Sequence, residues 1–152
     1  EFNYRYANVE NAQVFVGVGF PHGDSNRSEL LDRLVRDGYL VEDMSDNDVA
    51  KLHVRHMVGG RVSSKIENER LYRFQFPERP GALLDFLKHI DPMWNISLFH
   101  YRNHGSAYGR VLVGMQVPKG DRASFESFLV KTGYDYFDET ENVAYERFLK
   151  SI

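Results

Sequence analysis

The clearest periodic stretch runs from Leu71 to Val117. Aromatic residues alternate at Tyr72, Phe74 and Phe76, which predicts a strand over Leu71 to Phe76. Pro77-Glu78-Arg79-Pro80-Gly81 breaks that strand. Pro80 has no N–H to lose at a helix start, and its φ is already helical. Leu83, Leu84, Phe86, Leu87 and Ile90 then fall on one helical stripe, which Asp91-Pro92 stops. Asn95 to Tyr101 predicts a second strand, Gly105 a turn, and Val111 to Val117 a third strand.

The earlier part of the chain has a related rhythm. Phe2, Tyr4 and Tyr6 share one face of a strand, and Glu1, Asn3 and Arg5 the other. Ala12 to Phe20 is apolar almost throughout, which predicts a central strand covered on both faces. Pro21 to Asp24 reads as a loop. Asn26 with Glu29 resembles a capping box, followed by a helical stripe of Leu30, Leu31, Leu34 and Val35. Gly38 ends that helix, and Tyr39 to Glu42 reads as a short strand. Ser45 is placed to cap a further helix through about Met57. Gly59-Gly60 and the polar run Ser63 to Asn68 read as a linker.

The two parts are copies of one pattern. A shift of 97 positions lays Phe2, Tyr4 and Arg5 on Phe99, Tyr101 and Arg102, and Val14, Val16 and Gly17 on Val111, Val113 and Gly114. Pro21, Gly23 and Asp24 fall on Pro118, Gly120 and Asp121. With small slips Gly38-Tyr39 falls on Gly133-Tyr134, Asp43 on Asp138, and Val49-Ala50 on Val143-Ala144. The second copy reads strand, helix, strand, strand, helix, strand, the ferredoxin-like order. The expected fold class is therefore α+β: two ferredoxin-like βαββαβ modules with antiparallel sheets, the first lacking its opening strand and helix. The boundaries are 1–58 for module one, 59–68 for the linker and 69–152 for module two. The missing strand and helix are expected upstream of Glu1. Without them an open sheet edge and an uncovered apolar face invite dimerisation.

Composition narrows the function. A chain of 152 residues with 14% aromatics can bury a real core. A net charge of −3 with no block of like charges argues against nucleic acid. No cysteine is present, so there is no thiol nucleophile or Cys-based zinc site. No apolar run approaches membrane length, which leaves a cytoplasmic-type protein, or a plastid one in a plant source. His53 with His56, and His100 with His104, are pairs lacking a third ligand, so no metal is expected. No G-x-S-x-G elbow is present for hydrolase chemistry.

The Pro80-Gly81 turn carries the most chemistry. The first amides of a helix point outward and can receive an anion, and Gly81 has no side chain to keep a ligand off them. With leucines beside it, the spot suits a carboxylate bearing an apolar tail. The same dipeptide also serves simply as a turn that opens a core helix.

FPERPGALLDFLKHIDPMWNISLFHYRNHGSAYGRVLVGMQVP closely resembles the regulatory half of the biosynthetic threonine deaminases (threonine ammonia-lyases), as do EFNYRY, FVGV, KLHVRHMVGGR and YDYFDETEN. The resemblance covers essentially the whole chain and implies a tandem pair of ACT-like modules. It implies a regulatory part that binds isoleucine as feedback inhibitor and valine as a counteracting activator. The parent enzyme would be a homo-oligomer that deaminates threonine to 2-oxobutanoate with pyridoxal phosphate. That cofactor belongs to a catalytic domain outside this chain, so no catalytic residue and no cofactor is expected here.

The resemblance also implies a place for the effector, at the first strand–helix turn and along the second strand. The turn residues are Arg79, Pro80, Gly81, Ala82 and Leu83, with Leu87 one helical turn on. The strand residues are Asn95, Ile96, Phe99, Tyr101 and Arg102, with Tyr4 and Arg5 as counterparts in module one and Arg55 a further candidate. Leu83 and Leu87 also suit the core, Tyr4 and Tyr101 a sheet face, and Arg5 and Arg102 ion pairs. A pure assembly module with a degenerate effector site is the alternative. A third, an RNA-binding sheet, has the aromatics of Phe99 and Tyr101 but the wrong charge.

Overall fold

The computed structural model describes residues 1–7, 10, 12–21, 24–58, 66–90, 94–103, 105 and 107–150. The chain divides into two compact units, Gly17–Met57 and the remainder. The larger unit contains a six-stranded antiparallel sheet. Its strands are β1 (Phe2–Arg5), β2 (Val14–Val16), β3 (Glu69–Pro77), β4 (Asn95–Tyr101), β5 (Tyr108–Gln116) and β6 (Asp135–Asp138). They lie in the order β2-β1-β4-β5-β3-β6. Helix α3 (Ala82–His89) joins β3 to β4, α4 (Arg122–Lys131) joins β5 to β6, and α5 (Val143–Phe148) follows β6. The smaller unit contains α1 (Asp24–Arg36), α2 (Asp48–Leu52) and a 3₁₀ turn at Val54–His56. Among the described residues no helix is long and apolar enough to cross a membrane.

The second copy has the expected split βαβ layout. β3 lies between β5 and β6, and β5 pairs with β4, so the two βα crossovers interleave. The alternating aromatics of β3 explain the main core. Tyr72, Phe74 and Phe76 meet Val111, Val113 and Met115 of β5 under Phe86 of α3 and Phe125, Phe128 and Leu129 of α4. The other face of the sheet carries a smaller core of Leu71, Leu98 and Tyr145, flanked by Leu112 and Leu149. β4 alternates between the two faces, and a register slip between Ile96 and Leu98 lets Ile96 and Phe99, three apart, share the main core. Ser97 is the extra residue of that bulge.

The repeat recurs in individual hydrogen bonds. Asp43 Oδ1 accepts from the Ser45 amide at 2.9 Å, and Asp138 Oδ1 from the Thr140 amide at 2.9 Å. Asn47 and Asn142 cap α2 and α5 alike, each side-chain oxygen accepting from an alanine amide (Ala50, Ala144) at 2.9 Å. Gly38 and Gly133 follow α1 and α4 with φ of 89° and 67°, values that favour glycine. The two copies also meet as approximate mates. Phe2 pairs with Tyr101, Asn3 with His100 and Tyr4 with Phe99. Under the shift of 97, Phe2 corresponds to Phe99 and Tyr4 to Tyr101, so a local two-fold axis passes between Asn3 and His100, themselves counterparts.

Several expectations are corrected. The apolar run at Ala12 to Phe20 forms only the three-residue strand β2, at the end of the sheet; Val14, Val16 and Val18 are 43%, 52% and 52% exposed. Tyr39 to Glu42 forms no strand. Both departures have one cause. In the second copy β5 pairs with β3 as well as β4, and β6 pairs with β3 alone, but among the described residues the first copy has no counterpart of β3. Helix α1 starts at Asp24 and so contains Asn26 rather than being capped by it. Asn47, not Ser45, caps α2: its side chain accepts from the Ala50 amide, while Ser45 lies earlier, in a turn closed on Asp43. The buried stripe of α3 is narrower than expected: Ala82 and Phe86 are buried, whereas Leu84 and Leu87 are 55% and 36% exposed. Asn3 and Arg5, read as the polar face of β1, are both buried. Asp91-Pro92, His104 and most of the 59–68 linker lie outside the described residues.

Candidate functional site

The turn before α3 is shaped by its backbone. The Glu78 amide donates to the Ala107 carbonyl at 2.9 Å, and the Ala82 amide to the Arg79 carbonyl at 3.0 Å. Gly81 has φ 83° and ψ −6° and caps α3 without any side-chain hydrogen bond. No side chain therefore competes for the next amides of the helix. Nothing lies within 4 Å of where a Gly81 Cβ would point, so the space above the turn is open. Arg79 and Pro80 are exposed, and Arg79 pairs with Asp85 across the first turn at 3.2 Å. Ala82 is core, Leu83 is half-buried against that core, and Leu87 lies at the surface.

Tyr101 ties the second strand to this turn. Its ring is buried and its hydroxyl donates to Glu78 Oε1 at 2.8 Å. Burial, then the Glu78 carboxylate, push the Tyr101 phenol up to about 12. Gly109 makes room for this arrangement, since a Cβ there would come within 2.5 Å of Glu78 Oε2 and 2.7 Å of the Phe76 ring. Phe99, two residues back on the same face, packs edge-on against Phe2 at 5.5 Å, and Tyr4 packs against the same core. Arg102 pairs with Glu1 at 3.3 Å. The structure thus brings Arg79 to Leu83, Tyr101 and Phe99 to one end and one face of the sheet. It does not bring Asn95 and Ile96 there, because they start a strand about 20 Å long that ends at Tyr101. Asn95 instead donates to Gln116 Oε1 at 2.7 Å, and Ile96 packs into the core. Arg55 lies in the 3₁₀ turn of the smaller unit.

Arg5 faces the opposite side of the sheet. Its guanidinium pairs with Glu69, the two side chains being 6% and 4% exposed, and donates to the Ser97 carbonyl at 3.3 Å and the Leu149 carbonyl at 2.8 Å. Glu69 also accepts from the hydroxyls of Ser97 and Tyr145. Four elements, β1, β3, β4 and α5, therefore meet at one carboxylate. Sequence reasoning missed Glu69, Ser97, Tyr145 and Glu78. The available signal was small: Ser97 interrupts an apolar strand, and Gly114 lies beside it. A Cβ on Gly114 would approach Leu98 Cβ and Ser97 Oγ at 2.9 Å and Glu69 Oε1 at 3.0 Å.

These groups set a pH range. Burial pushes the Glu69 carboxyl up, but the donors Arg5, Ser97 and Tyr145 outweigh it and hold the group below its usual range. A depressed folded-state pKa contributes stability that is complete above the unfolded value, about 4.3, and is lost as pH falls through the folded value. Tyr101 has the opposite sign: its contribution is complete below about 10 and is lost as pH rises toward about 12. The thermal midpoint is expected to fall at both limits. Glu69→Gln should shallow the acid limb, and Tyr101→Phe the alkaline one. A midpoint profile with unchanged limbs in both variants would contradict the assignment.

The described lysines, Lys51, Lys88, Lys119, Lys131 and Lys150, all stand exposed. Among the described residues no group of three or more His, Cys, Asp or Glu side chains is arranged to hold a metal ion.

Residues 1–54 and 60–149 match the family described as the C-terminal regulatory domain of threonine dehydratase. The chain is 54% identical over 150 residues to L-threonine dehydratase biosynthetic IlvA of Escherichia coli, covering 98% of this chain and 29% of that protein. It is 42% identical over 158 residues to the mitochondrial threonine dehydratase of Saccharomyces cerevisiae, covering 99% of this chain and 27% of that protein. It is 43% identical over 147 residues to the chloroplastic threonine dehydratase 1 biosynthetic of Solanum lycopersicum, covering 96% of this chain and 24% of that protein. The chain thus spans less than a third of the length of these curated relatives.

Proposed function

The chain belongs to the family of C-terminal regulatory domains of threonine dehydratase, and we propose that it senses isoleucine and valine on behalf of such an enzyme. The matched family is the regulatory part and not the catalytic one. The observation that carries the reading is the open turn at Gly81, which leaves amides of α3 free to take a carboxylate beside Leu83 and the Tyr101–Glu78 pair. Arg79 and Pro80 lead into the turn, Leu87 lies one helical turn on, Phe99 and Arg102 lie on either side of Tyr101 along the chain, and Tyr4 pairs with Phe99 across the β1–β4 seam. Asn95 and Ile96 are the less favoured members of the set. Arg5 is better explained by its pairing with Glu69.

In this reading the parent polypeptide deaminates threonine to 2-oxobutanoate with pyridoxal phosphate held in its catalytic domain, as a homo-oligomer in the cytoplasm or a plastid. Isoleucine favours one arrangement of the two modules, 1–58 and 69–152, and valine the other. Effector couplings of this kind are about 1–3 kcal/mol. One methylene separates the two ligands and is worth about 1–3 kcal/mol in an apolar pocket. Their opposed effects therefore come from differential binding to two states.

Calorimetric titration with L-isoleucine, against L-valine and L-threonine, tests the site. Saturable isoleucine binding that is lost in Gly81→Trp, with the thermal midpoint within a few degrees of the parent's, is the expected result. Binding that Gly81→Trp leaves intact would move the site elsewhere. No binding at all would favour the second reading, an assembly module. The pairing of β1 with β4 supports that reading, because it joins the two copies edge to edge in one sheet.

A further inference from the structure

We propose that the C-terminal helix α5 is a clasp that fixes the first copy's strand β1 against the second copy's sheet, with Glu69 as its positioning residue. β1 has only four residues, and backbone pairing alone holds it weakly. What adds to that pairing is the packing of Phe2 and Tyr4 on one face and, on the other, a set of polar contacts from distant elements. Arg5, at the end of β1, spends its guanidinium on Glu69, on the Ser97 carbonyl and on the Leu149 carbonyl just past α5. Tyr145 of α5 is buried and places its hydroxyl on the same Glu69 carboxylate. The Tyr6 amide completes the junction by donating to the Ser97 carbonyl at 2.8 Å. α5 is itself held in place from both ends: Asn142 caps it and donates to Glu139 Oε2 at 2.8 Å, while the Leu149 and Lys150 amides close its last turn on the Tyr145 carbonyl.

The arrangement makes the position of β1 depend on α5, although the two are 138 residues apart in sequence (Arg5 to Val143). It also links the two faces of the sheet. Arg5 lies on the α5 side, whereas its neighbour Tyr4 lies on the side of the Gly81 turn, opposite Phe99. Loosening the clasp shifts Tyr4 at the seam; seating a ligand against the seam tightens the clasp. This second step rests on the effector reading above, but the clasp itself does not.

Hydrogen–deuterium exchange of the full-length protein tests it, comparing peptides that cover 1–7 with peptides that cover 108–116. Tyr145→Phe keeps the ring and removes one hydroxyl; Glu69→Gln keeps the shape and removes the charge. In both, residues 1–7 are expected to exchange at least tenfold faster, while 108–116 stay within twofold of the parent. If Glu69→Gln unfolds the protein, Tyr145→Phe alone decides. Unchanged exchange of 1–7 in Tyr145→Phe, or equal acceleration of both segments there, would overturn the clasp. The isoleucine concentration for half-maximal response should rise severalfold in Tyr145→Phe. A parent protein with no isoleucine response would remove the effector reading, and the exchange result would still decide the clasp.

Discussion

Glu69→Ala is expected to destabilise the chain by about 3–5 kcal/mol, the range for breaking one partner out of a buried ion pair. The magnitude follows from what remains. Arg5, 6% exposed on its side chain, would keep its charge with only two carbonyls to receive it. The Ser97 and Tyr145 hydroxyls would lose their acceptor inside the sheet. Replacing both charges, as in Arg5→Met with Glu69→Met, should cost far less than Glu69→Ala, because no charge is stranded. Urea unfolding followed by circular dichroism measures both variants against the parent. A loss below about 1 kcal/mol for Glu69→Ala would mean that water reaches the pair and the site is not closed.

Phe86→Ala is the second large effect, about 3–5 kcal/mol. Phe86 is fully buried, with its ring centroid 5.0 Å from Phe74, 5.6 Å from Phe76, 5.8 Å from Tyr134 and 6.4 Å from Phe99. Its ring reaches β3, β4 and the segment before β6 together. Leu84→Ala, two residues earlier and more than half exposed, should change stability by no more than about 0.5 kcal/mol. Equal losses in the two variants, measured by the same unfolding curves, would refute the narrow stripe seen on α3.

The contrast between Phe86 and Leu84 marks where sequence patterning stopped being informative. Leu83, Leu84, Phe86, Leu87 and Ile90 all fit a helical stripe, and only the packed sheet selects among them. Strand, turn and helix were legible from Leu71 to Leu87 because period-2 aromatics, a Pro-Gly break and helical spacing follow one another without interruption. Ala12 to Phe20 was misread because apolar residues report a liking for burial, not the presence of a neighbouring strand. Tyr39 to Glu42 failed for the same reason. The Gly81 turn was legible because its chemistry is local. The Glu69 junction was not, since its partners Arg5, Ser97 and Tyr145 lie 64, 28 and 76 positions away. What the sequence did carry over long range was the repeat, and the matching turns at Asp43 and Asp138 and matching caps at Asn47 and Asn142 are its physical form.

The two outermost strands of the sheet differ in character. β6 begins and ends on aspartate, at Asp135 and Asp138, while β2 is Val-Phe-Val followed by glycine. Asp135 sets a carboxylate on one margin, Asp138 being paired with Arg70, whereas β2 itself holds no charged side chain to repel an incoming strand. A ribbon with two adhesive margins can grow without limit into a filament. One with a single adhesive margin is self-terminating, because the first margin-to-margin contact between two molecules consumes both adhesive sides and leaves only acidic ones facing outward. Were two copies of this chain to join β2 to β2, both would turn β6 outward, and association by this route would stop at a pair.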